Sequence, residues 1–415
     1  MIRAIVIVAI LFVVLPSSLW AQDTSSSTAV DELNAWLNDR PLNDETLQSL
    51  ERQPFASVAI TKDDCQRAQD LLWEARTEFL RKDRAPEMTA RQLVIGDLNM
   101  PFWYTTFGDA PPEGRSLYIS MHGGGGAPAT VNDQQYENQK KLYKPSEGVY
   151  LVPRAPTNTW DLWHQSHIDS FFERLITNMI VFENVNPDRV YIMGYSAGGD
   201  GVYQLAPRMA DQLAAAAMMA GHPNETRPEG LRNIGFTIHM GANDAAYNRN
   251  RLAAEWSEKL NALQAADPDG YQHTVTIHEG MGHWMNLQDS VAVPWMAKFR
   301  RNVWPQKIVW VQDDVLHSHF YWLKVAADSA KAGDETIATS DANTLRIEKS
   351  SAKQLTIRLS DHLLDLDLPV TVIRPDARES QHSVSRTIGS MAASLAERHD
   401  APGISTATIS IDVVQ

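Results

Sequence analysis

The stretch "VYIMGYSAGGDG", residues 190–201, places Ser196 between glycines immediately after a short apolar run. A serine hydroxyl becomes a useful nucleophile when a sharp strand-to-helix turn exposes it and a nearby base takes its proton. Such a turn strains the backbone at the serine and needs small residues two positions away on either side, where Gly194 and Gly198 stand. Val190–Met193 would supply the strand, and Ala197 the start of the helix. The Ala197 N–H would then face an oxyanion at the helix N-terminus.

Two further residues fit the chemistry that this serine needs. "IHMGANDAAY" puts Asp244 just past one apolar run, and "IHEGMGHWM" puts His283 in a glycine-containing loop just past the next. The order Ser, Asp, His is that of a nucleophile, an orienting acid and a base delivered by successive strand ends. His239, His273 and His278 alternate with apolar residues and read as packed or surface histidines, and Asp289 follows the histidine, out of order. The glycine run Gly123–Gly126 after "SLYISMH" offers a second oxyanion donor, at Gly123 or Gly124. No Lys-Ser/Thr pair follows it, so it is not read as a phosphate cradle.

These residues need a scaffold, and the chain supplies alternating elements from residue 91 onward. "RQLVIGDL", "PFWYTTFG", "RSLYISMH", "GVYLVPRAP", "RVYIMG", "AAAAMMAG", "IGFTIHMG" and "HTVTIHEG" read as strands. Helices read from "IDSFFERLITNMIVFENV", "RLAAEWSEKLNALQAA" and a closing "VPWMAKFRR". Short apolar runs alternating with helices predict an α/β fold, a mostly parallel sheet covered on both faces with its site at the strand carboxyl ends. Before it, a Ser/Thr-rich spacer (Asp23–Thr28) and short amphipathic helices suggest a helical cap over 22–90, with a stripe through Leu71, Leu72, Ala75, Phe79 and Leu80. After Pro305, closely spaced strands such as "HFYWLKVA", "NTLRIEKS" and "TATISIDVV", with one helix in "SRTIGSMAASLAERHD", predict a small β-rich domain. The expected division is 1–21, 22–90, a catalytic unit over 91–305 and a β domain over 306–415.

Length and charge narrow the function classes. At 415 residues the chain exceeds the usual size of one core, and its formal net charge of −14 repels polyanions, so nucleic acid is not an expected partner. Residues 1–21 combine Arg3, an apolar run over 4–15 ended by Pro16, Ser17 and Ser18, and a small residue for cleavage at Ala21, a pattern that predicts a secretory leader and no stable membrane span after its removal. Cys65 is the single cysteine and cannot form an intrachain disulfide. No metal or cofactor is expected: His164 with His167, or His317 with His319, lacks the further ligands of a metal set. Trp160, Trp163 and His164, with Trp284 beside the base, are candidate walls for a substrate that stacks on aromatic rings.

"HGGGG", "GYSAGG", "GANDAAYN" and "GMGHWM" together resemble the α/β-hydrolase superfamily. Within it the chain is similar to secreted esterases of the polyhydroxybutyrate depolymerase and feruloyl esterase type, over about residues 91–303. The resemblance implies nucleophile Ser196, acid Asp244 and base His283, and a small-molecule or polymeric ester as substrate. "HSHFYWLKV" and "LLDLDLPVTV" resemble a β domain appended to bacterial extracellular relatives. The chain departs from lipases in lacking a long apolar lid, and from many secreted depolymerases in lacking a disulfide framework. Two other readings remain open at this stage: a serine peptidase on the same fold, and a non-catalytic carbohydrate- or polymer-binding protein.

Overall fold

The computed structural model describes residues 18–413. The leader read from residues 1–21 therefore lies outside the described residues, apart from its last helical turn. Among the described residues no helix is long and apolar enough to cross a membrane.

The chain begins with helices α1 (Ser18–Leu37), α2 (Asp44–Leu50), α3 (Lys62–Asp83) and α4 (Ala85–Ala90). The stretch read as a spacer, Asp23–Thr28, is helical and lies inside α1. One of its serines is fastened rather than solvated: Ser26 is buried, donates to Asp64 (2.5 Å) and accepts from the Thr61 N–H (2.9 Å). On α3 the most buried line runs through Cys65, Ala68, Leu72, Arg76 and Leu80, and so takes in only part of the apolar stripe read from the sequence. Arg76 sits in that line because its guanidinium caps the Leu42 carbonyl and pairs with Asp44.

A sheet of eight strands follows: β1 (Gln92–Ile95), β2 (Leu98–Phe107), β3 (Arg115–Met121), β4 (Gly148–Pro153), β5 (Val185–Tyr195), β6 (Ala215–Met219), β7 (Gly235–Gly241) and β8 (His273–His278). Their order is β1-β2-β4-β3-β5-β6-β7-β8, antiparallel at β1–β2 and β2–β4 and parallel from there on. This is the α/β-hydrolase fold, with α5 (Ala129–Gln139), α6 (His167–Glu183), α7 (Ala197–Arg208), α8 (Arg249–Ala266) and the short α9 (Ala292–Met296) in the connections. Strands β4, β6 and β7 are buried along their whole length, as a sheet covered on both faces requires. Alternation sorts their residues. Leu117 and Ile119 join a core with Phe171, Phe172 and Val202, while Tyr118 and Tyr191 join one with Met285 and Met296 on the other face.

The C-terminal region adds two sheets. Strands β9 (Lys307–Val311), β12 (Glu335–Asp341), β13 (Thr344–Ser350), β15 (Val370–Ile373) and β16 (Glu379–His382) form one. The other holds β10 (His319–Phe320), β11 (Leu323–Lys324), β14 (Gln354–Leu359) and β17 (Ala407–Asp412). "HFYWLKVA" is not one strand but two, because Tyr321 turns at φ 51° between β10 and β11. Strands β12 and β16 carry mostly polar residues and gave no apolar signal in the sequence. Helix α10 (Ile388–Arg398) crosses to the N-terminal helices, where Met391 and Leu395 share a core with Val30, Leu47 and Leu72. One apolar core runs from Phe236 and Trp256 of the hydrolase unit to Trp310, Trp322 and Leu355 of the β region. Arg301 clasps Asp400 across the same junction with two hydrogen bonds, at 2.8 and 2.9 Å.

Candidate active site

The β5–α7 turn places Ser196 at φ 59°, ψ −121°, a conformation that costs a non-glycine residue on the order of 1–3 kcal/mol and persists only where the surroundings over-determine it. The surroundings do so through main-chain contact. A methyl group on Gly194 would lie 2.2 Å from the Gly198 carbonyl oxygen, and one on Gly198 would lie 2.2 Å from the Met121 carbonyl oxygen. The Ser196 N–H is bound to the Met219 carbonyl of β6 (2.9 Å), and the Ser196 carbonyl starts α7 by accepting from Asp200 (3.0 Å).

His283 reaches the serine from the loop after β8. Its Nε2 is 2.9 Å from Ser196 Oγ, and its Nδ1 is 2.7 Å from Asp244 Oδ2. The Asp244 side chain is 2 % exposed and that of His283 43 % exposed, so the acid is shielded while the imidazole meets solvent. Asp244 sits in the turn after β7, with Arg249 Nη1 3.9 Å from its other oxygen. It is not spent on capping, since α8 starts after Asn248 without a side-chain cap. The two turns are laced together: the Asn243 N–H donates to Met281, and the Ala242 N–H to His278. The structure thus brings together the three residues that the sequence put on three strand ends.

The glycine run lies against the serine. A methyl on Gly123 would stand 3.2 Å from Ser196 Cβ, and one on Gly125 3.6 Å from Ala197 Cβ. Gly124, at φ 117°, holds a turn that an L side chain rarely adopts. Asn132 of α5 pins this turn by accepting from the Gly125 N–H (3.0 Å) and donating to the Gly125 and Ala127 carbonyls. That engagement occupies the Gly125 N–H. His122 is fully buried beneath the run; its Nε2 accepts from the Ala155 N–H, so its Nδ1–H donates to the Gly123 carbonyl (2.6 Å). Burial lowers its pKa to about 3, which keeps the ring neutral in that role.

Ser196 and His283 open onto a cavity of about 650 Å³. Trp284 lines it, with Val131, Gln135 and Leu142 opposite, and none of its lining residues comes from the N-terminal helices. The other aromatic candidates fall elsewhere. Trp163 is fully buried, donates from Nε1 to the His122 carbonyl and packs on Gly201, where a methyl would come within 2.5 Å of its Cβ. His164 is buried too, edge-on to Trp160, and burial with the neighbouring Arg208 lowers its pKa to about 4. Trp163 and His164 are therefore framework rather than substrate wall, because the 160–167 turn faces inward onto α7. Trp160 is 63 % exposed and flanks Gly125 and Gly126 outside the cavity.

Three of the other histidines are paired within the fold. His239 and His278 bond to each other (3.1 Å), with Thr237 and Gln288 at the ends of the chain. Burial and the adjacent His278 hold His239 down to about 4. His317 pairs with Asp169 (2.8 Å). Among the described residues, one group of three carboxylates, Glu225, Asp313 and Asp314, brings oxygens within 4.8 Å of one another; no histidine belongs to it. Asp289, the acid out of order, accepts from Tyr143 inside the core, and burial raises its pKa.

Two residues of the site had no signal of their own in the sequence. Asn132 lies in "TVNDQQYE", a polar run without a clear apolar face, and its only hint is its nearness to the glycine run. Tyr195 sits inside the serine motif, but its partners are 88 and 90 residues away.

Comparison with known proteins gives one family match: residues 152–313 fit the Dienelactone hydrolase family. NocK of Nocardia uniformis subsp. tsuyamanensis, which carries an esterase assignment, is 30 % identical over 154 residues, 34 % of this chain and 45 % of that protein. The bifunctional acetylxylan esterase/xylanase XynS20E of Neocallimastix patriciarum is 32 % identical over 146 residues, 33 % of this chain and 20 % of that protein. The chain thus matches less than half the length of either relative. Among solved structures, a thermostable esterase aligns with TM-score 0.38 and 16 % identity, covering 51 % of this chain and 62 % of that one.

Proposed function

We propose that the protein is an exported serine hydrolase that cleaves carboxylic esters through Ser196, His283 and Asp244. The observation that carries this reading is the position of the His283 ring, hydrogen-bonded to Ser196 Oγ at 2.9 Å and to Asp244 at 2.7 Å. It is supported by the strained turn at Ser196, by the glycine run against it, and by a family match with two partial relatives whose names include esterase. Export is supported by the leader-like residues 1–21.

In the first half-reaction His283 Nε2 takes the Ser196 proton as Oγ attacks the ester carbonyl. The resulting oxyanion is held by the N–H groups of Ala197 and of Gly123 or Gly124. Asp244 fixes the ring with Nδ1–H toward itself, so that Nε2 carries the lone pair, and it stabilises the imidazolium that forms. His283 then returns the proton to the departing alcohol. Water, deprotonated by the same nitrogen, frees the acid from the acyl-enzyme and restores the serine.

Ser196→Ala removes the bond-forming atom and leaves the fold's glycines in place. Hydrolysis of p-nitrophenyl acetate should fall by at least about 10³-fold. Retention of the unaltered rate would overturn the assignment, and a chain that cleaves peptide amides in preference to the ester would be a peptidase instead.

A further inference from the structure

We propose that Tyr195 is the positioning residue of the base: its hydroxyl clamps the His283 loop to the nucleophile turn and keeps the imidazole on Ser196. The inference rests on the ester-hydrolase reading above and assigns a task to a residue that does not itself touch the reacting atoms.

The Tyr195 hydroxyl uses both its proton and a lone pair on one loop. It donates to the His283 carbonyl (2.6 Å) and accepts from the Met285 N–H (3.0 Å), so it brackets the peptides on both sides of Trp284. The Tyr195 ring is buried and meets the His283 ring edge-on at 6.0 Å and the Trp284 ring at 5.6 Å. The phenol hangs from the residue just before Ser196, whose backbone is registered against Met219 of β6. Base and nucleophile are thus referred to the same rigid strand.

The loop's other anchors lie at its base, where the Gly282 carbonyl packs against Gly241 and Met281 accepts from Asn243, and in the buried Met285 side chain. Gly280 and Gly282 face open space, Asn286 and Leu287 sit at φ 52° and 60°, and His283 is well exposed. From Gly282 to Leu287, among the described residues, the loop's main chain makes its hydrogen bonds to distant sequence through Tyr195. Burial raises the Tyr195 pKa, with Asp289 and Asp244 adding to it, so the hydroxyl keeps the proton that it donates. A catalytic group must be held to within about 0.5 Å, and a displacement of about 1 Å costs roughly 10²-fold in rate.

The test is Tyr195→Phe, which keeps the ring and deletes the clamp. For p-nitrophenyl acetate kcat should drop about 10- to 100-fold with KM within about 3-fold. Labelling of Ser196 by a fluorophosphonate should slow by the same factor, since it draws on the same base. A variant that turns over and labels within about 2-fold of the unaltered chain would overturn the inference while leaving the esterase reading intact. An unaltered chain that does not label at all would overturn both. Hydrogen exchange on the unaltered chain gives a readout that needs no variant. The Met285 amide should exchange far more slowly than those of Trp284 and Asn286, and equal rates would also overturn the clamp.

Discussion

The two halves of the site differ in what holds the reacting residue itself. The turn at Ser196 is fixed by main chain against main chain: Gly194 against Gly198, Gly198 against Met121, and the Ser196 N–H on Met219. The loop at His283 meets main chain only at its base, where the Gly282 carbonyl packs on Gly241 and Met281 accepts from Asn243; beyond it the hold is by side chains, Asp244 on the ring, Tyr195 on the backbone and Met285 in the core. Ser196 must hold a strained conformation, so nothing near it can yield.

The sharpest way to break this contrast is to add one methyl group at the turn. Gly198→Ala would push its Cβ to 2.2 Å from the Met121 carbonyl oxygen, a backbone atom of a central strand that has nowhere to move. Relief requires α7 to lift away from β3, which carries Ser196 and the Ala197 N–H with it. Loss of ester hydrolysis by more than about 10³-fold, or loss of folded protein, is expected, measured by p-nitrophenyl acetate turnover beside circular dichroism. Near-normal activity would mean that the turn is far softer than its contacts imply.

The same contrast separates what the sequence revealed from what it hid. Ser196, Gly194 and Gly198 were legible because steric rules act over a few residues. Asp244 and His283 were legible because chain order and strand ends restrict where an acid and a base can arrive. Trp163 and His164 were misread as substrate wall because the sequence does not say which side of a turn faces α7. Tyr195 and Asn132 escaped because their work is done through partners fixed only by tertiary structure. The β region was legible as a class, yet the polar strands β12 and β16 and the break at Tyr321 were not. Pairing and packing, rather than local propensity, make those elements.

A smaller effect tests whether the glycine run shares the rigidity of the turn. His122 supports that run as a neutral ring, with its pKa lowered to about 3 by burial, whereas an unfolded histidine titrates near about 6.5. Below that value the unfolded chain binds a proton that the folded chain refuses. The stability tied to His122 is therefore whole above about pH 6.5 and is lost as pH falls toward about 3, to a limit of roughly 5 kcal/mol. In urea unfolding at pH 7 and pH 4.5, His122→Gln should lose about 2 kcal/mol less than the unaltered chain between the two conditions. Equal losses would mean that the ring is already charged or exposed.

The smallest effect should come from the loop, with the same substitution made two residues after β8's open turn. Gly282 has no heavy atom within 4 Å of an added Cβ and is not among the positive-φ glycines, so Gly282→Ala meets neither a clash nor a forbidden backbone. It neighbours His283 as closely as any residue can, yet ester hydrolysis should stay within about 3-fold of normal, because the added methyl enters open space and leaves the Gly282 carbonyl on Gly241 and the contacts of Asp244 and Tyr195 in place. Assayed side by side, two glycine-to-alanine changes near the same catalytic hydrogen bond should differ by more than about 10²-fold. If Gly282→Ala were as damaging as Gly198→Ala, the base would be held by the close packing of its loop, and the distinction between a locked nucleophile and a tethered base would collapse.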